Sequence, residues 1–102
     1  MTEAMYYALL ALMKPGHGYK LMQEISAVSQ NRIKMGPGTL YGVLSRIQGD
    51  GLIQIERDDG RRKVYKITSH GKEALLSEYR RLQGMVRDGE IMLGGESDGE
   101  DG

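Results

Sequence analysis

The sequence predicts a mainly α fold completed by one small β-hairpin, an α+β chain. Three stretches predict it. Residues 36–53 read GPGTLYGVLSRIQGDGLI, a short helical pattern closed at both ends by Gly and Pro breakers. Residues 52–67 alternate apolar and polar side chains about an Asp58-Asp-Gly60 turn signal. Beyond Thr68, Leu75, Tyr79, Leu82, Val86 and Leu93 follow a four–three spacing, with Gly89 where the remaining apolar residue would fall.

Thr2 can cap a first helix running to about Met13. From Ala4 to Met13 the chain carries no charge. A helix apolar all round is buried all round, so one side is expected on the domain core and the other against a second subunit. Lys14-Pro-Gly-His-Gly18 is a loop by its breakers. His17, with no clustered carboxylate or third ligand nearby in sequence, reads as loop packing rather than a titrating switch.

A second helix is expected from about Tyr19 to Val28, with Leu21, Met22, Ile25 and Val28 inward. Arg32-Ile-Lys-Met35 alternates and suggests a short edge strand. In the third helix Pro37 sits where its missing N–H costs nothing. Leu40, Val43, Leu44 and Ile47 fall on one side, and Gly38, Gly42, Ser45 and Gly49 on the other. A mid-helix glycine costs about 1 kcal/mol relative to alanine. The bare face therefore suits close approach of the backbone to a large partner such as a DNA groove, although small solvent-facing residues would look the same.

The hairpin concentrates Arg61, Arg62, Lys63 and Lys66 with Tyr65 interleaved, a clamp for phosphates or an ordinary solvated hairpin. Thr68 or Ser69 caps the last helix, from about His70. Its seam outruns the hairpin domain and calls for a partner subunit, and Gly84 and Gly89 weaken its far end, where a bend or fraying is expected. From Gly94 the composition, GGESDGEDG, is that of a disordered tail. The organisation is thus 1–68, a DNA-binding domain; 69–93, a dimerisation helix; and 94–102, an acidic tail.

At 102 residues the chain is one small domain, and dimerisation would relieve its limited core. Its zero net charge hides an asymmetry: 1–87 holds 14 bases against 8 acids, while 88–102 holds six acids and no base. A basic body suits a polyanion. With no cysteine there is neither a disulfide framework nor a thiolate metal site. The longest apolar run is too short to span a membrane, so a cytoplasmic location is expected. Two separated histidines, no paired-carboxylate motif and no Gly-rich phosphate loop leave no catalytic constellation; no enzyme activity, cofactor or metal is expected.

Three helices followed by a basic hairpin describe a winged helix-turn-helix, whose third helix enters a major groove while the hairpin reaches neighbouring backbone. The motifs His17-Gly-Tyr-x-Leu21, Pro37-Gly-Thr-Leu-Tyr41, Leu44-x-Arg-Ile47, Gly51-Leu-Ile53, Arg62-Lys-x-Tyr65-x-Ile-Thr68 and Gly71 occur in order. With them the chain resembles PadR-type transcriptional regulators over roughly Met5 to Leu75. The resemblance implies a dimeric bacterial repressor, its C-terminal helix crossing to the partner, as in the subgroup with a single short helix there. Relief of repression by a small molecule is common in the family. Two positions depart: Gly42 stands where the family usually has proline, and Ser45 where it usually has a base.

The expected function is therefore sequence-specific binding of double-stranded DNA by a homodimeric regulator. Pro37, Gly38, Thr39, Tyr41, Ser45 and Arg46 would act from the helix, and Arg61, Arg62, Lys63 and Tyr65 from the hairpin. Met5, Leu9, Leu12, Leu75, Tyr79, Leu82 and Val86 would form the dimer seam. Tyr6, Tyr7 and Tyr79 are candidates to line an effector pocket there, though packing explains them equally. The other reading is a winged-helix module that grips an acidic protein with the same hairpin.

Overall fold

A computed structural model describes residues 1–94; the acidic residues at 95–102, and the disorder expected of them, lie outside the described residues. In order, the elements are α1 (Glu3–Ala11), β1 (Gly16–His17), α2 (Gly18–Val28), α3 (Pro37–Gly49), β2 (Ile53–Asp58), β3 (Lys63–Ile67) and α4 (Ser69–Gly89), with a π-helical turn over Glu90–Gly94.

Thr2 caps α1 by accepting the Met5 amide at 3.1 Å. The helix ends two residues earlier than the apolar run suggests, because the Leu12 and Met13 amides tighten onto the Leu9 and Leu10 carbonyls ahead of Pro15. Leu9, Leu12, Leu21, Ile25, Leu40, Leu44 and Ile47 are buried to 1% exposure or less and form the centre of the core. Burying each such side chain contributes about 1.5–3 kcal/mol.

The sheet is three-stranded and antiparallel, ordered β1-β3-β2. β2 and β3 make the hairpin, with a bulge between Ile55 and Arg57. The third strand is not the one the sequence suggests. Arg32–Met35 is unpaired chain, whereas Gly16 and His17, read as loop, pair with Tyr65 and Val64. The alternation at 32–35 has another cause. Ile33 and Met35 pack against the core, and the Arg32 guanidinium lies 5.7 Å from the centre of the Tyr7 ring while donating to its hydroxyl.

Two further expectations are corrected by burial. Val28 is exposed, so the inward face of α2 is Leu21 and Ile25 with Met22 at its edge. Leu9 and Leu12 are fully enclosed within one chain and Met5 is 8% exposed, so these three face the core, while Leu75, 7% exposed, reaches the surface only at the edge of a groove. The outward side of α1 consists of Tyr6, Leu10 and Met13 instead. Of the expected seam, Leu82 is half-buried and Tyr79 and Val86 are exposed.

α4 begins at the Thr68 cap, whose Oγ1 accepts the Gly71 amide at 2.9 Å and donates to the Gly51 carbonyl at 2.7 Å. It continues as one helix through Gly84, and the weakening expected of the far end appears after Gly89, where the chain passes into the π-helical turn. It carries the chain to a length of 65 Å against a width of 26 Å.

Candidate nucleic-acid interface

α3 is preceded by Gly36, which offers no side-chain cap, and Pro37 opens its first turn. The amides of the first turn therefore stay available to an anion. Leu40, Leu44 and Ile47 fasten the helix to the core. Opposite them, a Cβ added at Gly38, Gly42 or Gly49 would meet nothing within 4 Å. The bare face read from the sequence is open space. Thr39, Tyr41, Ser45 and Arg46 border it, all exposed. Arg46 holds a loose pair with Asp50 at 3.4 Å, and both side chains remain largely in solvent, so little energy opposes its release.

The wing tip is built by two aspartates. Asp58 accepts the Gly60 amide at 2.9 Å, and Asp59 accepts the Arg61 and Arg62 amides at 3.1 and 2.8 Å. Those amides hold the Asp59 carboxyl below the usual carboxylate range. Gly60 supplies the left-handed residue the turn needs, at φ +88°. The result is to present Arg61, Arg62 and Lys63 in solvent.

Tyr65 is more buried than the other hairpin residues expected to act on DNA. Its ring belongs to the core at 6% exposure, and it reaches only the floor of a cleft of about 500 Å³ between the wing and the helices. His17, Gly18 and Tyr19 also line this cleft, and Tyr41 and the basic wing residues wall it. The motif His17-Gly-Tyr-x-Leu21 contains the first three, but nothing in the spacing showed that they face the hairpin, since the pairing of β1 with β3 joins residues far apart in sequence. Burial raises the Tyr65 phenol above its ordinary value, and the neighbouring Tyr41 phenol and Asp58 carboxylate add to that. Among the described residues no cluster of His, Cys, Asp or Glu could hold a metal ion.

A helix-turn-helix, an open helix face and a basic hairpin define a winged-helix DNA-binding protein. Residues 8–77 match the model of the transcriptional regulator PadR-like family, and the chain belongs to that family. It is 40% identical over 84 residues to the transcriptional regulator Rv3488 of Mycobacterium tuberculosis, covering 79% of this chain and 73% of that protein. It is 41% identical over 73 residues to an uncharacterised protein X of Lysinibacillus sphaericus, covering 68% of this chain and 66% of that one. A PadR family transcriptional regulator of Eggerthella lenta superposes with a TM-score of 0.67 at 28% identity, over 87% of this chain and 79% of the other. RosR of H. salinarum, 18% identical, shares the fold with a TM-score of 0.72 over 100% of this chain and 96% of its own. No helix among the described residues is long and apolar enough to cross a membrane.

Proposed function

We propose that this regulator is a homodimeric, sequence-specific repressor that lays α3 of each subunit in successive major grooves, about 34–36 Å apart on one face of the duplex. The single observation that supports the reading best is the pairing of an unobstructed α3 face with three solvent-exposed bases on the adjoining wing. The face lets the helix backbone approach the groove. Thr39, Ser45 and Arg46 are placed for bases, and Arg61, Arg62 and Lys63 for phosphates.

Dimerisation is supported by the largely apolar groove of about 360 Å³ between α1 and α4, lined by Tyr6, Leu10, Met13, Leu75, Leu76 and Tyr79 with Lys72. A second copy is its occupant in this reading, and an apolar effector entering at its margin would shift the spacing of the two α3 helices and relieve repression. In this reading the protein acts in the cytoplasm, where the DNA is.

The test is the anisotropy of a labelled duplex titrated at several salt concentrations. Wild type binds with a steep negative salt slope, and Arg62→Ala weakens all sequences alike and lowers the slope by about one unit. Unchanged affinity and slope would remove the wing from the interface. High affinity for an acidic protein without duplex binding at low salt would favour the interaction-module reading instead.

A further inference from the structure

The cleft at the root of the wing holds a contact that packing alone does not require. Gly18 is the first residue of α2, and its φ is not in the left-handed region, so the backbone there would accept alanine, which helices prefer. A side chain there would meet Tyr41. A Cβ at Gly18 would overlap the Tyr41 hydroxyl and lie 2.8 Å from its Cζ. Tyr41 is half exposed, so its ring is not trapped by the core, and its hydroxyl is held over Gly18 at the mouth of the cleft. Tyr41 and Tyr65 line the same cleft, Tyr41 from α3 and Tyr65 from β3. Tyr65 donates to none of the described residues, yet no unpartnered polar side-chain atom is buried among them, so its hydroxyl opens to the cleft. Arg61, Arg62 and Lys63 stand along the same wall.

We propose that Gly18 is a positioning residue: its missing side chain seats Tyr41 so that the Tyr41 and Tyr65 hydroxyls form a neutral donor pair for one DNA backbone phosphate between the wing and α2. The seat rests on the DNA-binding reading above and adds to it. The cations supply attraction at a distance, and the hydroxyls fix where the phosphate stops. Asp58, at the edge of the cleft, opposes an anion and keeps the seat from being a general trap for them.

The experiment uses a labelled duplex pool of random sequence, which reads backbone contacts without base readout, at several salt concentrations. Tyr41→Phe keeps the ring and should weaken binding about tenfold, the loss expected for a hydrogen bond to a charged group. Its salt slope should stay as in wild type, because no charge is removed. Gly18→Ala should lose as much affinity without losing thermal stability, since Tyr41 swings away rather than the fold opening. In the double variant Gly18→Ala should add nothing further, because the hydroxyl it displaces is already gone. Wild-type affinity in Gly18→Ala, additive losses in the double variant, or a changed slope in Tyr41→Phe would each overturn the seat while leaving the DNA reading standing. Failure of wild type to bind any duplex at low salt would overturn both.

Discussion

Gly71 and Leu52 meet backbone to backbone. A Cβ at Gly71 would overlap the Leu52 carbonyl oxygen and lie 2.9 Å from the carbonyl carbon and 2.7 Å from Ile67 Cγ1. The same carbonyl accepts the Thr68 amide at 3.0 Å, and Thr68 in turn caps α4 on the Gly71 amide. The contact thus joins the start of β2, the end of β3 and the first turn of α4. Through it the wing is fixed to the long helix.

Gly71→Ala is therefore expected to cost about 3 kcal/mol or more, at the upper end of overpacking costs, because the obstacle is backbone and cannot rotate away. Gly84→Ala, where nothing lies within 4 Å, should be neutral or stabilising. Urea midpoints of the two variants separate the cases. Equal midpoints would mean that α4 slides along β2 at little cost.

The turn between α2 and α3 hangs on Ser29, 2% exposed. Its hydroxyl accepts the Ile33 amide at 3.0 Å and lies within donating distance of the Ser26 carbonyl at 3.3 Å. Gln30 and Asn31 between them take left-handed backbone, φ 56° and 66°, which is costly for non-glycine residues. Ser29→Ala leaves the Ile33 amide without its partner and should destabilise by about 1–3 kcal/mol. DNA affinity should fall while the salt slope holds, because no phosphate contact is lost. A changed slope would show that the turn itself touches DNA.

How far the sequence disclosed this molecule depends on the length of each signal. α3 was legible in its start and its stop because Pro37 and the Gly49-Asp50-Gly51 break bound a regular apolar spacing, and the hairpin because Asp58-Asp-Gly60 separates two alternating runs. β1 was not, since two residues carry no period; its pairing comes from β3, far away in sequence. Alternation at 32–35 misled because Ile33 and Met35 are held by the core and Arg32 by Tyr7, contacts that need no strand. For α1, uniform apolarity gave no phase, so it could not tell that Met5, Leu9 and Leu12 turn inward while Tyr6, Leu10 and Met13 turn out. In the candidate interface the cluster of bases on the hairpin and the small residues of the bare helix face were readable, but alternation did not say which bases face out. The burial of Tyr65, and Gly18 beneath Tyr41, were not readable.

The wing tip should be sensitive to acid. Asp59 accepts two amides as a carboxylate, which lowers its folded value below the ordinary one. A lowered value means that the stabilisation is present above the unfolded carboxyl's range and is lost as pH falls through the folded value. The Arg61 and Arg62 amide resonances should therefore shift together on acidification, below the usual carboxylate range. Asp59→Ala should abolish the common transition and leave the tip frayed at neutral pH. If the amides of wild type titrate independently, the turn is held by other contacts.

The outward edge of α1 and α4 leaves a run of large apolar side chains in water. Leu76 and Tyr79 are 46% and 47% exposed and flank Tyr6 and Leu10 in one groove, and Val86, Ile91 and Leu93 continue exposed towards the end of the helix. Contiguous exposed apolar surface of this kind marks an interaction site. Replacing Leu76 or Tyr79 by Glu adds a charge where a partner would desolvate it, and such burial without a counter-charge is costly enough to separate subunits. Because both positions are exposed within one chain, the fold itself should survive. Sedimentation should find wild type as a dimer, and Leu76→Glu with Tyr79→Glu as a monomer with helical content retained. The monomer should bind a half-site duplex weakly and lose the gain in affinity that a two-site duplex gives the dimer. A double variant that remains dimeric would place the interface elsewhere and leave this groove to another partner.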